Sequence, residues 1–295
     1  MGKYFEGVYS AIFSVYDEKM KVKADTVATL VDYQLKGGAN GFYVCGNTGE
    51  CSVLPNKTRI EMLDTVVKAN AGRGQIMAHI GATHFDDVLE LIEDANGRDI
   101  DAISSLPPAL KRYYNADEVF EYYKRIAKES RHPVYAYITP DLGTDPLGFA
   151  RRLSTIDNVQ GIKLTIPDYF IFGSVMKEFK GKLNVLNGPD ETFVAGLSVG
   201  ADGAIGTTYN ILPKVGVKIY DSFMAGDMKS ALEYQQKLNS FIKIPLGRNL
   251  SYWKATLSFL GFDMGYTVFP CHMPTEAELS DMKKALEAIN FFDMV

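Results

Sequence analysis

Cysteine is scarce in this chain of 295 residues and occurs only as Cys45, Cys51 and Cys271. The number is odd and the spacing fits no metal-binding knuckle. We therefore expect reduced thiols that lie in or near the core and have no catalytic role.

Histidine is almost as scarce. The four histidines are His79, His84, His132 and His272. None stands in the His-x-x-His or His-Glu-x-x-His spacing that holds a metal on one face of a helix. His79, at the end of a predicted strand, could line a pocket, although a hydrogen-bonded structural histidine is favoured. We expect no metal site.

Basic runs and long apolar segments are missing as well. A net charge of −5 without a basic run offers nothing to a phosphate backbone, so nucleic acid is a poor candidate partner. No segment has about 18 uncharged apolar residues in a row. The start, MGKYFEGVYSAIF, has neither a cleavable signal nor, with Glu6, a myristoylation signal. We expect a soluble cytoplasmic protein that does not bind a membrane.

What is present is a regular alternation of short apolar runs with segments of helical period. Eight such runs precede eight helical segments. They are GVYSAIF at 7–13, GFYVC at 41–45, QIMAHI at 75–80, DAISS at 101–105, VYAYI at 134–138, VQGIKLT at 159–165, LNVLN at 183–187 and GAIGT at 203–207. Strands this apolar belong to a parallel sheet that is covered on both faces.

The order of these elements predicts a (β/α)8 TIM barrel. A doubly wound open sheet is the competitor, but the first strand is not followed by its glycine-rich turn. After about residue 226 the alternation ends and three helical segments remain. We therefore predict a barrel domain at 1–226 and a C-terminal three-helix extension at 227–295. Asn115 is a predicted N-cap, followed by acids in its first turn.

Lys163 stands in the middle of the sixth apolar run, in GIKLT, with no acidic neighbour in sequence. In such a barrel the carboxyl ends of the strands carry the catalytic groups. Burial without an ionic partner disfavours an ammonium, and an uncharged amine attacks carbonyls to form a Schiff base. The alternative is a lysine that reaches solvent or pairs with a carboxylate from another strand.

Two further features lie at strand ends. In GNTGE, Gly46 and Gly49 bracket Asn47 and Thr48, and such a turn can direct N–H groups and a hydroxyl at a carboxylate. A plain βα turn is the alternative. Tyr137 ends the fifth run and could pass protons beside the lysine. Tyr135 shares its parity, and either tyrosine could simply belong to the core.

Together, GxTGE, Tyr137 and GIKLT resemble the pyruvate-dependent class I aldolase family that includes N-acetylneuraminate lyase and dihydrodipicolinate synthase. The resemblance covers nearly the whole chain and implies a TIM barrel that usually forms a homotetramer. It implies that Lys163 forms an imine with pyruvate and that Tyr137 relays protons. It also implies that Asn47, Thr48 and Gly49 bind the carboxylate.

The stretch NGPDETFVAGLSVGADGAIGTTYN is similar to the N-acetylneuraminate lyase pattern. Carried over, Gly188, Asp190, Glu191 and Thr207 contact the polyol end of a sugar acid, and Thr165 lies near its C4 hydroxyl. Acidic side chains repel phosphate and accept hydrogen bonds from hydroxyls, which favours an uncharged polyol. Helix capping is the alternative for the two acids.

The chain departs from the family in two places. No basic residue follows Tyr137 in YITPDLGT, which disfavours dihydrodipicolinate synthase. In SSLPPALKRYYN, Leu110 and Lys111 stand where aromatic residues are usual, which puts a tyrosine relay from a neighbouring subunit in doubt.

The expected activity is therefore reversible cleavage of N-acetylneuraminate to N-acetylmannosamine and pyruvate, with no metal or organic cofactor. Its competitors are a lyase or hydratase-aldolase for another 2-keto-3-deoxy sugar acid, a dihydrodipicolinate synthase-like enzyme, a metal-dependent aldolase and a non-catalytic ligand-binding barrel.

Overall fold

The computed structural model describes residues 4–107, 114–140 and 145–295. Eight parallel strands close into a barrel in chain order, with β1 hydrogen-bonded to β8. The strands are β1 (Gly7–Ala11), β2 (Gly41–Val44), β3 (Gln75–His79), β4 (Ala102–Ser105), β5 (Val134–Ile138), β6 (Val159–Leu164), β7 (Asn184–Asn187) and β8 (Gly203–Gly206). The predicted TIM barrel is confirmed, and each strand ends within two residues of its predicted limit.

Helices alternate with the strands and then continue beyond them. The helices are α1 (Ala24–Lys36), α2 (Asn56–Asn70), α3 (Phe85–Asn96), α4 (Ala116–Glu129), α5 (Pro146–Leu153), α6 (Tyr169–Phe179), α7 (Phe193–Ser198), α8 (Pro213–Met224), α9 (Met228–Ile242), α10 (Leu250–Ser258) and α11 (Glu276–Ala288). The last three confirm the predicted C-terminal helices. Among the described residues, none of the helices has the length and apolar character that crossing a bilayer requires.

Local sequence explains where these helices begin. Asn115 caps α4 by accepting hydrogen bonds from the N–H groups of Asp117 and Glu118, while the Glu118 carboxylate accepts one from the N–H of Asn115. Asp168 caps α6 in a similar way, through the N–H groups of Phe170 and Ile171. Each cap satisfies N–H groups that the first helical turn leaves free.

Two apolar layers hold the barrel. Inside it, nine buried residues pack together, among them Tyr9, Tyr43 and Tyr135. A larger layer between strands and helices includes Phe42, Ile162 and other branched side chains. Because the interior is filled with side chains, a ligand can enter only at an end of the barrel.

The carboxyl end of β1 is tied to the loop after β8 by one buried amide, that of Asn210. Its nitrogen donates to the carbonyl of Ala11 at 2.6 Å and to that of Thr207 at 3.0 Å. Its oxygen accepts from the N–H of Phe13 and from Gln34, both at 3.0 Å. This side chain therefore fixes the last loop of the barrel against the first strand.

We predict that Asn210→Ala lowers the free energy of unfolding by about 3 kcal/mol, since it leaves the N–H of Phe13 and the carbonyl of Ala11 buried without their partner. Urea unfolding measures the change. Asn56→Ala, which removes a more exposed amide bonded to Asp87 and Glu90, is the control and should cost under about 1 kcal/mol. Equal losses in the two variants would contradict the assignment.

Candidate active site

A cavity of about 680 Å³ opens at the carboxyl ends of the strands, a volume that suits a small organic ligand. Most residues that the sequence predicts for the site line this cavity. They are Asn47, Thr48, Tyr137, Lys163, Thr165, Gly188, Asp190, Glu191 and Thr207. Their roles remain predictions, but the fold brings them to one place from the ends of β2, β5, β6, β7 and β8.

Lys163 is buried, with 6% of its surface exposed, and its Nζ faces two aromatic rings. Nζ lies 4.3 Å from the ring centroid of Tyr137 and 4.9 Å from that of Tyr43. No carboxylate oxygen among the described residues lies within 4.0 Å of it. The side chain is thus neither ion-paired within this part of the chain nor extended to solvent, and its amine meets the cavity.

The two tyrosines of β5 face opposite ends of the barrel. Tyr137 pairs with Lys163 in the sheet register, and its N–H donates to the hydroxyl oxygen of Tyr123 at 3.2 Å. The hydroxyl of Tyr135 donates instead to the side-chain oxygen of Asn184, at 3.0 Å, in the lower barrel interior. Of the pair that parity left open, Tyr137 is therefore the one beside the amine.

Tyr43 is a site residue that sequence reasoning missed. It is 1% exposed, its hydroxyl donates to Ser104 Oγ at 3.2 Å, and burial raises its pKa well above the usual range. A Cβ at Gly46 would lie 2.3 Å from its ring, so only glycine fits there. The sequence could have identified Tyr43 from its position near the end of β2, on the face of the strand that points into the barrel.

The turn after β2 lies at the cavity, which Asn47 and Thr48 line. The N–H groups of Asn47, Thr48 and Gly49 donate to no acceptor in the described part of the chain, which leaves them free for an anion. Thr48 Oγ1 lies 2.6 Å from Thr207 Oγ1. Gly49 does not line the cavity; a Cβ there would lie 2.9 Å from Cys45 Cα, so it serves close packing.

Asp190 is a buried carboxylate at the far side of the cavity. Its Oδ2 accepts from the N–H of Thr208 at 2.8 Å, so it binds the loop after β8 and does not cap its own helix. Its Oδ1 has no partner among the described residues. A Cβ at Gly206 would lie 1.6 Å from Oδ1, and the glycine thereby makes room for the carboxylate. Burial raises the pKa of Asp190 to about 6.

Thr165 and Gly188 form a second close approach. A Cβ at Gly188 would lie 1.7 Å from Thr165 Oγ1, and this hydroxyl has no partner in the described ranges. Glu191 is exposed and belongs to the rim. Within the described residues, this part of the cavity wall thus contains a buried hydroxyl without a partner, a buried carboxylate with one oxygen unpaired and an exposed carboxylate.

The opposite part of the wall is apolar and comes from the C-terminal helices. Ile242, Leu246, Leu250 and Trp253 line the cavity beside α9 and α10. No local sequence signal identified them, because their role depends on how these helices fold back over the barrel.

His79 takes the structural role that the sequence favoured. Its Nε2 accepts from the N–H of Leu106 at 3.0 Å, Arg59 donates to its carbonyl at 2.8 Å, and burial lowers its pKa well below the usual range. It does not line the main cavity. Over residues 4–107, 114–140 and 145–295, no three histidine, cysteine, aspartate or glutamate side chains are grouped to hold a metal ion.

Both departures from the family pattern involve residues outside the described ranges. Leu110 and Lys111, which bear on the tyrosine relay, lie in the segment 108–113. The end of YITPDLGT, which lacks a basic residue, lies in the segment 141–144. Tyr114, which is described, is 43% exposed.

The fold and the cavity define a (β/α)8 barrel protein with a buried lysine at the carboxyl ends of its strands. The chain belongs to the Dihydrodipicolinate synthetase family, whose model matches residues 4–289. The family predicted from GxTGE, Tyr137 and GIKLT is confirmed.

Individual relatives carry a narrower name. The chain is 31% identical to the N-acetylneuraminate lyase of Rhizobium meliloti, over 96% of this chain and 95% of the relative. Its structure is similar to Proteus mirabilis N-acetylneuraminate lyase, with a TM-score of 0.91, 25% identity and coverage of 98% and 100% of the two chains. It is also similar to wild-type Ruminococcus gnavus sialic acid aldolase, with a TM-score of 0.91, 26% identity and coverage of 99% and 100%. A catalytic lysine mutant of that aldolase matches with a TM-score of 0.91, 25% identity and coverage of 99% and 98%.

We predict that Asp190→Asn stabilises the protein at neutral pH. Because the pKa of Asp190 is raised from 3.8 to about 6, the folded state binds more protons than the unfolded state between these values. The contribution of Asp190 to wild-type stability therefore falls as the pH rises from about 4 to about 6, and the asparagine variant gains about 3 kcal/mol relative to wild type above that range and nothing below it.

Urea unfolding at a series of pH values tests this. Asp227→Asn is the control of opposite sign, because hydrogen bonds from the side chain and N–H of Ser230 lower the pKa of Asp227. Removing the Asp227 carboxylate should therefore destabilise the protein at neutral pH. Parallel pH profiles for wild type and Asp190→Asn would refute the prediction.

Proposed function

We propose that this protein is an N-acetylneuraminate lyase, a carbon–carbon lyase that cleaves N-acetylneuraminate reversibly to N-acetylmannosamine and pyruvate. The observation that carries the proposal is the position of Lys163 Nζ, which lies 4.3 Å from the Tyr137 ring and faces the cavity without a carboxylate partner among the described residues. The names of the relatives support the substrate.

The reaction begins with attack of the Lys163 amine on the C2 keto carbon of the open-chain sugar acid. Loss of water gives a protonated imine, in which C2 is a strong electron sink. The carboxylate beside C2 reaches the turn at Asn47 and Thr48, whose free N–H groups and hydroxyl suit an anion. Binding this carboxylate orients the ketone toward the lysine.

Tyr137 gives its proton to the hydroxide that departs as water, and the phenolate left behind then takes the proton from the C4 hydroxyl, which starts cleavage. The C3–C4 bond breaks, the aldehyde of N-acetylmannosamine leaves, and the electron pair of that bond forms an enamine with the imine. Protonation at C3 restores the imine, and water then releases pyruvate and the free amine. No step calls for a metal or an organic cofactor.

The polyol tail of the sugar fits the polar side of the cavity. Asp190 and Glu191 accept hydrogen bonds from the hydroxyls of the tail. Thr165 and Thr207 also line the cavity and carry hydroxyl groups. Gly188 leaves room for the Thr165 hydroxyl, which lies buried beside it. Lyases or hydratase-aldolases for other 2-keto-3-deoxy sugar acids use the same chemistry, and a substrate panel separates them.

Two competing functions receive less support from the site. A dihydrodipicolinate synthase-like reaction needs a second carboxylate bound, whereas no basic residue follows Tyr137 in YITPDLGT and the cavity wall carries two acids. A non-catalytic binding barrel would not require both Lys163 and Tyr137.

We also propose a homotetramer located in the cytoplasm, as the family resemblance implies, with residues 1–226 as the catalytic barrel and 227–295 as its helical extension. Light scattering of the purified protein tests the assembly.

We predict that incubation with pyruvate and borohydride adds a reduced pyruvyl group to Lys163, because reduction of the imine makes the bond permanent. Mass spectrometry of a proteolytic digest locates the adduct. Lys163→Met should abolish trapping and lower kcat by more than about a thousandfold. Lys177→Met, on α6, is the control and should be trapped as wild type. An adduct that persists in the Lys163 variant would disprove the assignment.

We predict that Glu191→Gln raises KM for N-acetylneuraminate by about tenfold, since a charge-assisted hydrogen bond to the tail is weakened. KM for a six-carbon 2-keto-3-deoxy acid, which lacks that tail, should change little. Steady-state assays of pyruvate release give both values, and Glu233→Gln on α9 serves as the control. Equal changes for the two substrates would remove Glu191 from the tail-binding residues.

A further inference from the structure

Lys254 is a buried lysine that the reaction does not use. It lies in α10, is 1% exposed and does not line the cavity, although its neighbour Trp253 does. Its Nζ donates to Glu50 Oε2 at 2.7 Å and to the carbonyl of Tyr266 at 3.0 Å. The ammonium also lies 4.6 Å from the ring centroid of Tyr16. The C-terminal extension thus places a buried cation against the loops that follow β1 and β2.

Glu50, the partner of this lysine, directly follows the turn proposed to bind the substrate carboxylate. Its second oxygen, Oε1, accepts from the hydroxyl of Tyr16 at 2.7 Å. Tyr16 and Glu50 are both buried. Both carboxylate oxygens are therefore satisfied, one by a cation and one by a phenol.

The main chain at Glu50 needs this anchorage. Its φ is +62°, in the left-handed region that non-glycine residues occupy only where the surroundings impose it. Its N–H donates to the carbonyl of Asn47 at 2.9 Å, and its carbonyl accepts from Val53 and Leu54 at 3.1 Å. A displacement of Glu50 therefore moves Asn47 and the free N–H groups beside it.

Stability alone does not account for the buried pair. Replacing a buried ion pair by apolar residues of similar volume is often neutral or stabilising, because both charges lose their hydration. The pair also lies directly behind a turn that is to receive an anion. Without its cation, the Glu50 carboxylate would repel that anion across a medium of low dielectric, or leave its pocket and reshape the turn.

We propose that Lys254 is a positioning residue for the reaction: by neutralising and holding Glu50, it keeps residues 46–50 in the shape and charge state that binds the substrate carboxylate. This rests on the proposed function, because it assumes that pyruvate binds at this turn. The C-terminal extension then contributes to substrate binding through this buried ion pair as well as through the cavity wall.

The test compares two ketones that differ only in the carboxylate. Reductive trapping at Lys163 is measured against the concentration of pyruvate and of methyl pyruvate, whose ester carries no charge. In Lys254→Met the half-saturating pyruvate concentration should rise by about tenfold or more, while that of methyl pyruvate stays within about twofold of wild type. Adding Glu50→Gln to the same variant should recover most of the loss, since no buried anion then remains.

A second variant keeps the test informative if Lys254→Met does not fold. Tyr16→Phe deletes only the hydroxyl that donates to Glu50 and should raise half-saturating pyruvate selectively by about threefold. Leu286→Ala, at a buried position in α11, is the control for a general loss of stability and should leave both ketone dependences unchanged.

Wild-type dependence on pyruvate in a folded Lys254→Met or Tyr16→Phe variant, or equal shifts for the two ketones, would overturn the inference and leave the proposed function intact. The absence of any pyruvate adduct at Lys163 in the wild-type protein would overturn both.

Discussion

Closure of the sheet between β1 and β8 is the constraint on which the site depends. In a closed parallel barrel every strand ends on the same rim, so side chains that are far apart in sequence converge there. Lys163 and Tyr137 meet because β5 and β6 are neighbours in register. Thr48 and Thr207 come within 2.6 Å of each other although 159 residues separate them. None of these contacts exists in a single βα unit, and the site therefore forms only when the ring is complete.

The C-terminal helices hold two of the segments that the barrel brings to the rim. Gln235 in α9 accepts from the N–H of Val194 and donates to the carbonyl of Asp190, each at 3.0 Å. Lys254 in α10 holds Glu50 through a buried ion pair. Polar groups at two places on the rim are thus satisfied by the extension, while its apolar residues form part of the cavity wall. The barrel and the extension are separate in chain order, but residues of both form the site.

The strands and the chemistry of the site follow from local patterns, and the contacts between distant segments do not. Alternating apolar runs predicted all eight strands, and the position of Lys163 in GIKLT placed an amine at the rim, because strand ends fix which residues reach the mouth. Asp190 was a candidate for capping its own helix, but it accepts from Thr208, 18 residues away. Trp253 and Lys254 gave no signal, since an amphipathic helix does not reveal which surface it will cover.

The pairing of Glu50 with Lys254 joins residues that are 204 positions apart. The ribosome makes the turn early and its counterion late. While the chain is still being synthesised, the Glu50 carboxylate has no cation to bury with it and is best left in water. The turn therefore gains its buried counterion only after α10 has been synthesised, so the charge balance at this edge of the barrel depends on a late part of the chain.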